Sequence, residues 1–219
     1  MDASANRNRD IYLLVVLVLI FHAGWIKFNV RDYIFLIDYI QRIIIIAVFL
    51  AAVRPTNWRY RPPISHVILI IAATFVDRVI FFAVEIGFQI LEIYRFGSWT
   101  GFPPIENPAH RIFDWSIGLV LVAVSEEFIY RKLMNDVMDR HNFRPANIYL
   151  ISSIAFALLH INQGLDQFLT TFVAGGIFMY VYRWSGTIYV PIAVHYFINL
   201  WIFSDAHRSR ELARSLGII

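Results

Sequence analysis

The chain contains no cysteine. Disulfides, thiolate metal sites, iron–sulfur clusters and a cysteine nucleophile are therefore excluded. Charge is scarce as well. Only 16% of the 219 residues are Asp, Glu, Lys or Arg, against about 25% in a typical soluble domain. Repeats and low-complexity tracts are absent. No block of basic residues accompanies the net charge of +3, which argues against a nucleic-acid partner. What the chain has in excess is apolar sequence. Hydrophobic residues make up 58% of it, in runs that follow one another from Ile11 to Phe203. That pattern predicts an all-α, polytopic transmembrane helical bundle whose partner is the lipid bilayer.

Seven spans are expected, at about Ile11–Phe28, Ile34–Val53, Ile64–Ile93, Ile112–Met134, Asn147–Ile161, Asp166–Trp184 and Thr187–Phe203. Irregular backbone is not tolerated against lipid, so helices are nearly forced. Between the third and fourth spans, the stretch Tyr94–His110 holds Gly97, Gly101, Pro103, Pro104 and Pro108. It reads as an interfacial loop with Trp99 and Phe102 as anchors. The expected division is N-terminal helices and loop at 1–111, a core at 112–203 and a polar, basic tail at 204–219. Arg7 and Arg9 before the first apolar run point to an uncleaved signal-anchor helix. The pair Gly175-Gly176 suggests a close helix–helix approach, although glycine is common in membrane helices anyway. With a cytoplasmic N-terminus, nine Lys and Arg fall on cytoplasmic loops and seven on the other side. This is a slight bias toward that orientation, in the cell membrane.

A charge at bilayer depth costs at least ~2.5–3.5 kcal/mol on insertion scales and tends to mark function. Asp38 and Arg42 lie four apart and read as a structural pair on one helix face. Asp77 and Arg78 are adjacent, so they are expected to meet different neighbours, with Glu85 further along. The sequence Ser125-Glu126-Glu127-Phe128-Ile129-Tyr130-Arg131 is of another kind. Glu127 and Arg131 stand in the favourable i, i+4 order and can neutralise each other. Glu126 is then left about 100° round the helix with no local partner. Desolvation makes such a carboxylate a stronger base, as general-base work requires. A structural pair beside a neutral Glu126 accounts for this segment equally well.

His160 closes the fifth span and His195 lies in the seventh. Asn199 follows His195 by four residues, so both present polar groups on one face and can donate to a developing oxyanion. Depth brings these residues together. Glu126 lies 13 residues before Asp139, and Asn199 lies 13 after Gly186, each ~20 Å of helix. His160 lies 15 after Pro145, ~22 Å. All can share one level provided the fourth helix runs on toward residue 139.

At these residues the chain resembles the CAAX-protease and bacteriocin-processing family of intramembrane endopeptidases, also called the Abi family. The family pattern is Glu-Glu-x-x-x-Arg, then Phe-x-x-x-His, then His-x-x-x-Asn. It is matched in order by Glu126-Glu127 to Arg131, Phe156 to His160 and His195 to Asn199. The resemblance covers about Ile112–Phe203, the four-helix catalytic core of the family. It implies hydrolysis of a peptide bond in a membrane-associated protein or peptide. Glu126 would activate water, His160 would orient or polarise it, and His195 and Asn199 would bind the oxyanion. Glu127 and Arg131 would hold the architecture.

A metal-free mechanism without cofactor is favoured. The alternative is zinc held by Glu126, His160 and His195, although the His-Glu-x-x-His helix of many zinc proteases is absent. Rhomboid-type and aspartyl intramembrane proteases fit worse. Ser185 lacks the first glycine of Gly-x-Ser-Gly, and Gly-x-Gly-Asp occurs nowhere. A non-catalytic immunity or scaffold protein and a small proton-coupled transporter are the competing classes. Substrate and oligomeric state are not legible.

Overall fold

Ile34, Asp38, Arg42, Ile45 and Phe49 recur at steps of four and three residues. In the computed structural model of the chain they form the buried face of one helix. The structure describes residues 11–19, 33–52, 62–90 and 103–215, and all regular structure among them is helical. Helix α1 covers 11–19, α2 is Ile34–Ala52 and α3 is Ile64–Ile90. A continuous rod then runs from Pro108 to Arg140 through α4 (Pro108–Phe113), α5 (Leu119–Glu127) and α6 (Met134–Arg140). Two π-helical turns join these pieces, at Asp114–Gly118 and Phe128–Leu133. Helix α7 is Pro145–Ala157, continued by a 3₁₀ turn at Leu158–Gln163. Helices α8 (Leu165–Ser185) and α9 (Tyr189–Ser215) complete the described chain.

Two helices are long and apolar enough to cross a membrane, α2 and the Ile64–Val84 part of α3. Only 28% of the first window and 17% of the second is buried within the protein. The buried positions include charged and polar ones, Asp38, Arg42, Thr74 and Asp77. The exposed positions on α3 include Ile64, Ile68, Ile71, Phe75, Val79 and Phe82. Burying one large apolar side chain is worth about 1.5–3 kcal/mol. Leaving this face in water would forfeit on the order of 10 kcal/mol, comparable to the whole stability of a domain. A bilayer removes that cost, and the chain is an integral membrane protein.

Helix α2 packs on α5, α3 on α8 and α9, α5 on α9, and α7 on α8. The α7–α8 approach is close at one point. A Cβ on Gly175 would stand 2.9 Å from Ser153 Cα. Gly176 has only ordinary contact with Ser153, so the first glycine of the pair accounts for the approach. Ser152 Oγ donates to Tyr130 O at 2.8 Å, fastening α7 to the second π turn. Phe49 of α2 stacks on Phe128 of the same turn at 4.2 Å. Arg183 of α8 donates to Asn135 and Asp139 of α6, tying the two helices at their ends. Gly186, in the left-handed conformation with φ 66°, ends α8 and reverses the chain into α9.

Several boundaries differ from the sequence expectation. Pro108, assigned to the interfacial loop, is instead helical. It stands in the first turn of α4, where its missing N–H costs nothing, and Asn107 Oδ1 caps Ala109 N and His110 N. The fourth helix continues to Arg140, as the depth argument required. Helix α9 runs to Ser215, well into the segment expected as a tail. The second half of the first span, Trp99, Phe102 and the side chain of Glu85 lie outside the described residues.

Candidate active site

Glu126 and Glu127 end α5, at the point where the helix widens into the π turn Phe128–Leu133. Single π turns within α-helices recur at functional sites. Both carboxylates are buried, Glu127 completely. Glu127 Oε2 pairs with Arg131 Nε at 2.9 Å, as the i, i+4 spacing predicts. The Arg131 guanidinium, also fully buried, lies over the ring of Phe156 at 4.3 Å and over that of Phe178 at 5.0 Å. Aromatic faces supply the negative surface that its remaining N–H groups do not find in hydrogen bonds.

Helix α9 brings His195 to the same point. Its Nδ1 lies 2.9 Å from Glu127 Oε1. An ionised carboxylate only accepts, so the imidazole Nδ1–H donates. That bond turns Nε2 toward Glu126, whose Oε2 is 3.6 Å away. The ring is further held by Phe178, stacked at 5.0 Å, and by Phe156, edge-on at 5.8 Å. Glu127 thus orients the histidine while Arg131 holds Glu127, the three-part logic by which a carboxylate fixes an imidazole's tautomer and direction.

Glu126 has no partner on its own helix, as the spacing implies, but it finds one across the bundle. Arg42 of α2 donates from Nη1 to Glu126 Oε1 at 3.0 Å and to Ser125 Oγ at 3.0 Å. Its Nε donates to Asp38 Oδ2 at 2.7 Å. The expected Asp38–Arg42 pair is present, but it is not self-contained. Glu126 Oε2 is buried and makes no hydrogen bond among the described residues. Neighbours from a distant helix are invisible to helical periodicity, which ranks only local partners.

His160 sits in the 3₁₀ turn after α7. Its Nδ1 is 3.3 Å from Phe156 O, and its ring meets Phe156 edge-on at 5.4 Å. Glu126 and His195 are within its electrostatic range. Phe156 therefore touches both histidines and Arg131, and is the hub of the cluster. Asn199 is half-buried one turn beyond His195 on α9. It makes no side-chain hydrogen bond among the described residues. Asp77 is buried within electrostatic range of both Arg78 and His195, and Arg78 also lies over Phe81 at 4.4 Å.

Residues 108–201 match the family model described as type II CAAX prenyl endopeptidase Rce1-like. Over that segment the chain is similar to the CAAX-protease family. Comparisons with curated proteins and with solved structures find no match. The matched segment opens at α4 and closes within α9, so it holds every member of the cluster except Asp38 and Arg42. These two, with Phe178 and the π turn, are what the sequence reading did not assign to the site. The steps of α2's polar residues, in register with Ile34, Ile45 and Phe49, were the available signal that Arg42 faces inward.

The zinc alternative draws on Glu126, His160 and His195. Among the described residues no three His, Asp or Glu side chains are grouped so as to hold a metal ion. His195 Nδ1 is engaged by Glu127, an outer bond that a metal-ligating histidine also makes, and Nε2 is the ring nitrogen that faces Glu126.

Proposed function

We propose that the chain is an intramembrane endopeptidase in which Glu126 activates water and His195 and Asn199 bind the oxyanion. The supporting observation is the pairing of one buried, unbonded carboxylate oxygen, Glu126 Oε2, with His195 Nε2 3.6 Å away. A base and an oxyanion donor thereby face one point. The match of residues 108–201 to the type II CAAX prenyl endopeptidase model supports this chemistry.

In the first step Glu126 Oε2 takes a proton from water as its oxygen attacks the scissile carbonyl carbon. The C–O bond forms and the carbonyl electron pair moves onto oxygen. His195 Nε2–H and Asn199 Nδ2–H donate to that oxyanion, a contribution of about 2.7–4 kcal/mol for a single well-placed donor. Donation from Nε2 requires hydrogens on both ring nitrogens. Each ring nitrogen faces a carboxylate, Nδ1 toward Glu127 and Nε2 toward Glu126. As the tetrahedral intermediate collapses, the C–N bond breaks and the amine leaves with the proton held by Glu126. The products are one carboxylic acid and one amine. His160 orients the water from the end of α7, and no step runs through a metal.

The substrate class is a membrane-associated protein or peptide. The scaffold is a bundle of about seven spans. Its catalytic core comprises four helices, the Pro108–Arg140 rod, α7, α8 and α9. The N-terminus is assigned to the cytoplasm of a cell-membrane protein.

The test is cleavage of a membrane-anchored peptide library, including prenylated peptides, by purified protein in detergent. Wild type is run beside Glu126→Gln, each with and without a chelator. Cleavage by wild type, loss in Glu126→Gln and indifference to chelator are expected. Equal cleavage by both proteins would remove Glu126 from the mechanism, and chelator sensitivity would return the metal-dependent alternative.

A further inference from the structure

Arg42 poses a problem that packing does not solve. It lies on α2, outside the segment matched to the protease family, and is 6% exposed. The rest of its buried face is Ile34, Asp38, Ile45 and Phe49. If Asp38 and Arg42 served only to hold α2 in place, two ions would be desolvated for a task that apolar residues of similar volume perform as well or better. In a bilayer each such charge carries an insertion cost as well. The geometry shows what the charges do instead. Asp38 Oδ2 takes the guanidinium's Nε–H at 2.7 Å, which sets the rotation of the fork. Nη1 is then aimed at Glu126 Oε1 and Ser125 Oγ, both at 3.0 Å. Ser125 spends its own hydrogen on Val122 O at 3.0 Å, so its oxygen is free to accept from Arg42 and marks the same position.

We propose that Arg42, oriented by Asp38, is a positioning residue for Glu126: it occupies Oε1 and so makes Oε2 the proton-accepting oxygen. The inference rests on the role proposed above for Glu126 and adds which oxygen acts and which helix sets it. A carboxylate has two equivalent oxygens and turns freely about its last torsion. A charge-assisted bond to one of them stops that rotation and fixes the direction of the other. Here the other is Oε2, buried, without a hydrogen bond and 3.6 Å from His195 Nε2. The charged and titratable groups around Glu126 include Arg42 from α2, His195 from α9, His160 from the turn after α7, and Tyr130 and Arg131 from the second π turn. Arg42 is the only one of these that holds Oε1 by a hydrogen bond among the described residues. The 108–201 segment is thus incomplete as a catalytic unit, and α2 completes it.

The experiment uses full-length protein in detergent and a peptide that wild type cleaves. It compares Arg42→Gln, Arg42→Lys, Asp38→Asn and Glu126→Gln. Misplacement of a catalytic group costs ~10²-fold in rate. Arg42→Gln is therefore expected to lower kcat about 100-fold with KM within about twofold. Arg42→Lys keeps the charge without the fork and is expected to recover roughly a tenth or more of the wild-type kcat. Asp38→Asn is expected to fall between wild type and Arg42→Gln. If Glu126→Gln abolishes cleavage while Arg42→Gln and Arg42→Lys both keep kcat within about threefold of wild type, the positioning role is overturned and the catalytic reading stands. The role is also overturned if Arg42→Lys, folded by its detergent unfolding midpoint, is as impaired as Arg42→Gln, or if KM changes and kcat does not. If Glu126→Gln itself cleaves like wild type, the catalytic reading fails first.

Discussion

The Glu127–Arg131 pair allows a quantitative test that does not depend on knowing the substrate. Both side chains are fully buried, with Nε and Oε2 2.9 Å apart. At an effective dielectric of 20, two unit charges at that separation attract by about 6 kcal/mol. Desolvation of the two ions offsets much of this, so the pair is not expected to be a large net stabiliser. Breaking it is another matter, because the survivor is left charged and unpaired at a cost of about 3–5 kcal/mol.

The two single variants should differ. Arg131→Leu leaves Glu127 with His195 Nδ1 at 2.9 Å, a partner that can carry a compensating charge. Its expected cost is therefore near the low end, about 3 kcal/mol. Glu127→Gln leaves the guanidinium with the faces of Phe156 and Phe178, worth ~0.5–2 kcal/mol each. That falls short of its desolvation, so the upper part of the range is expected. The double variant removes both charges and should recover about 2 kcal/mol relative to the sum of the singles. The assay is unfolding of purified protein in mixed micelles titrated with a denaturing detergent, followed by tryptophan fluorescence. Single-variant costs that simply add, with a coupling under about 0.5 kcal/mol, would refute the buried pair. So would an Arg131→Leu protein as stable as wild type.

Two further outcomes follow from the same geometry. Gly175→Ala places a methyl group 2.9 Å from Ser153 Cα and should destabilise the α7–α8 contact by about 1–3 kcal/mol, whereas Gly176→Ala should cost less than about 1 kcal/mol. The same detergent titration reads both, and equal costs would refute the assigned point of approach. Asn199→Ala removes a candidate oxyanion donor that supports nothing else among the described residues. It should lower kcat by 10²–10³-fold while leaving the unfolding midpoint unchanged, and unaltered turnover would remove Asn199 from the site.

Much of this protein was legible before any coordinates. Apolar run length alone predicted the described bounds of α2 and α3 to within a few residues, because a backbone in hydrocarbon has almost no alternative to helix. The i, i+4 rule placed Arg131 on Glu127, and rise per residue predicted a common depth for Glu126, His160 and Asn199, with His195 a turn shallower. These are one-dimensional properties, set by the chain's own geometry and by the solvent it meets. The tertiary structure decided what lies across the bundle. It brought His195 Nδ1 to Glu127 rather than to Glu126 and set Arg131 against the rings of Phe156 and Phe178. It also turned Arg42 from a local partner of Asp38 into the cation on Glu126 Oε1. Periodicity assigns a residue to a face but not to the helix that the face meets. The π turn after Glu127 changes that facing again, by a twist that no composition or spacing rule encodes. Which buried charge neutralises which is therefore settled by packing, where each ion takes the partner that best offsets its lost hydration.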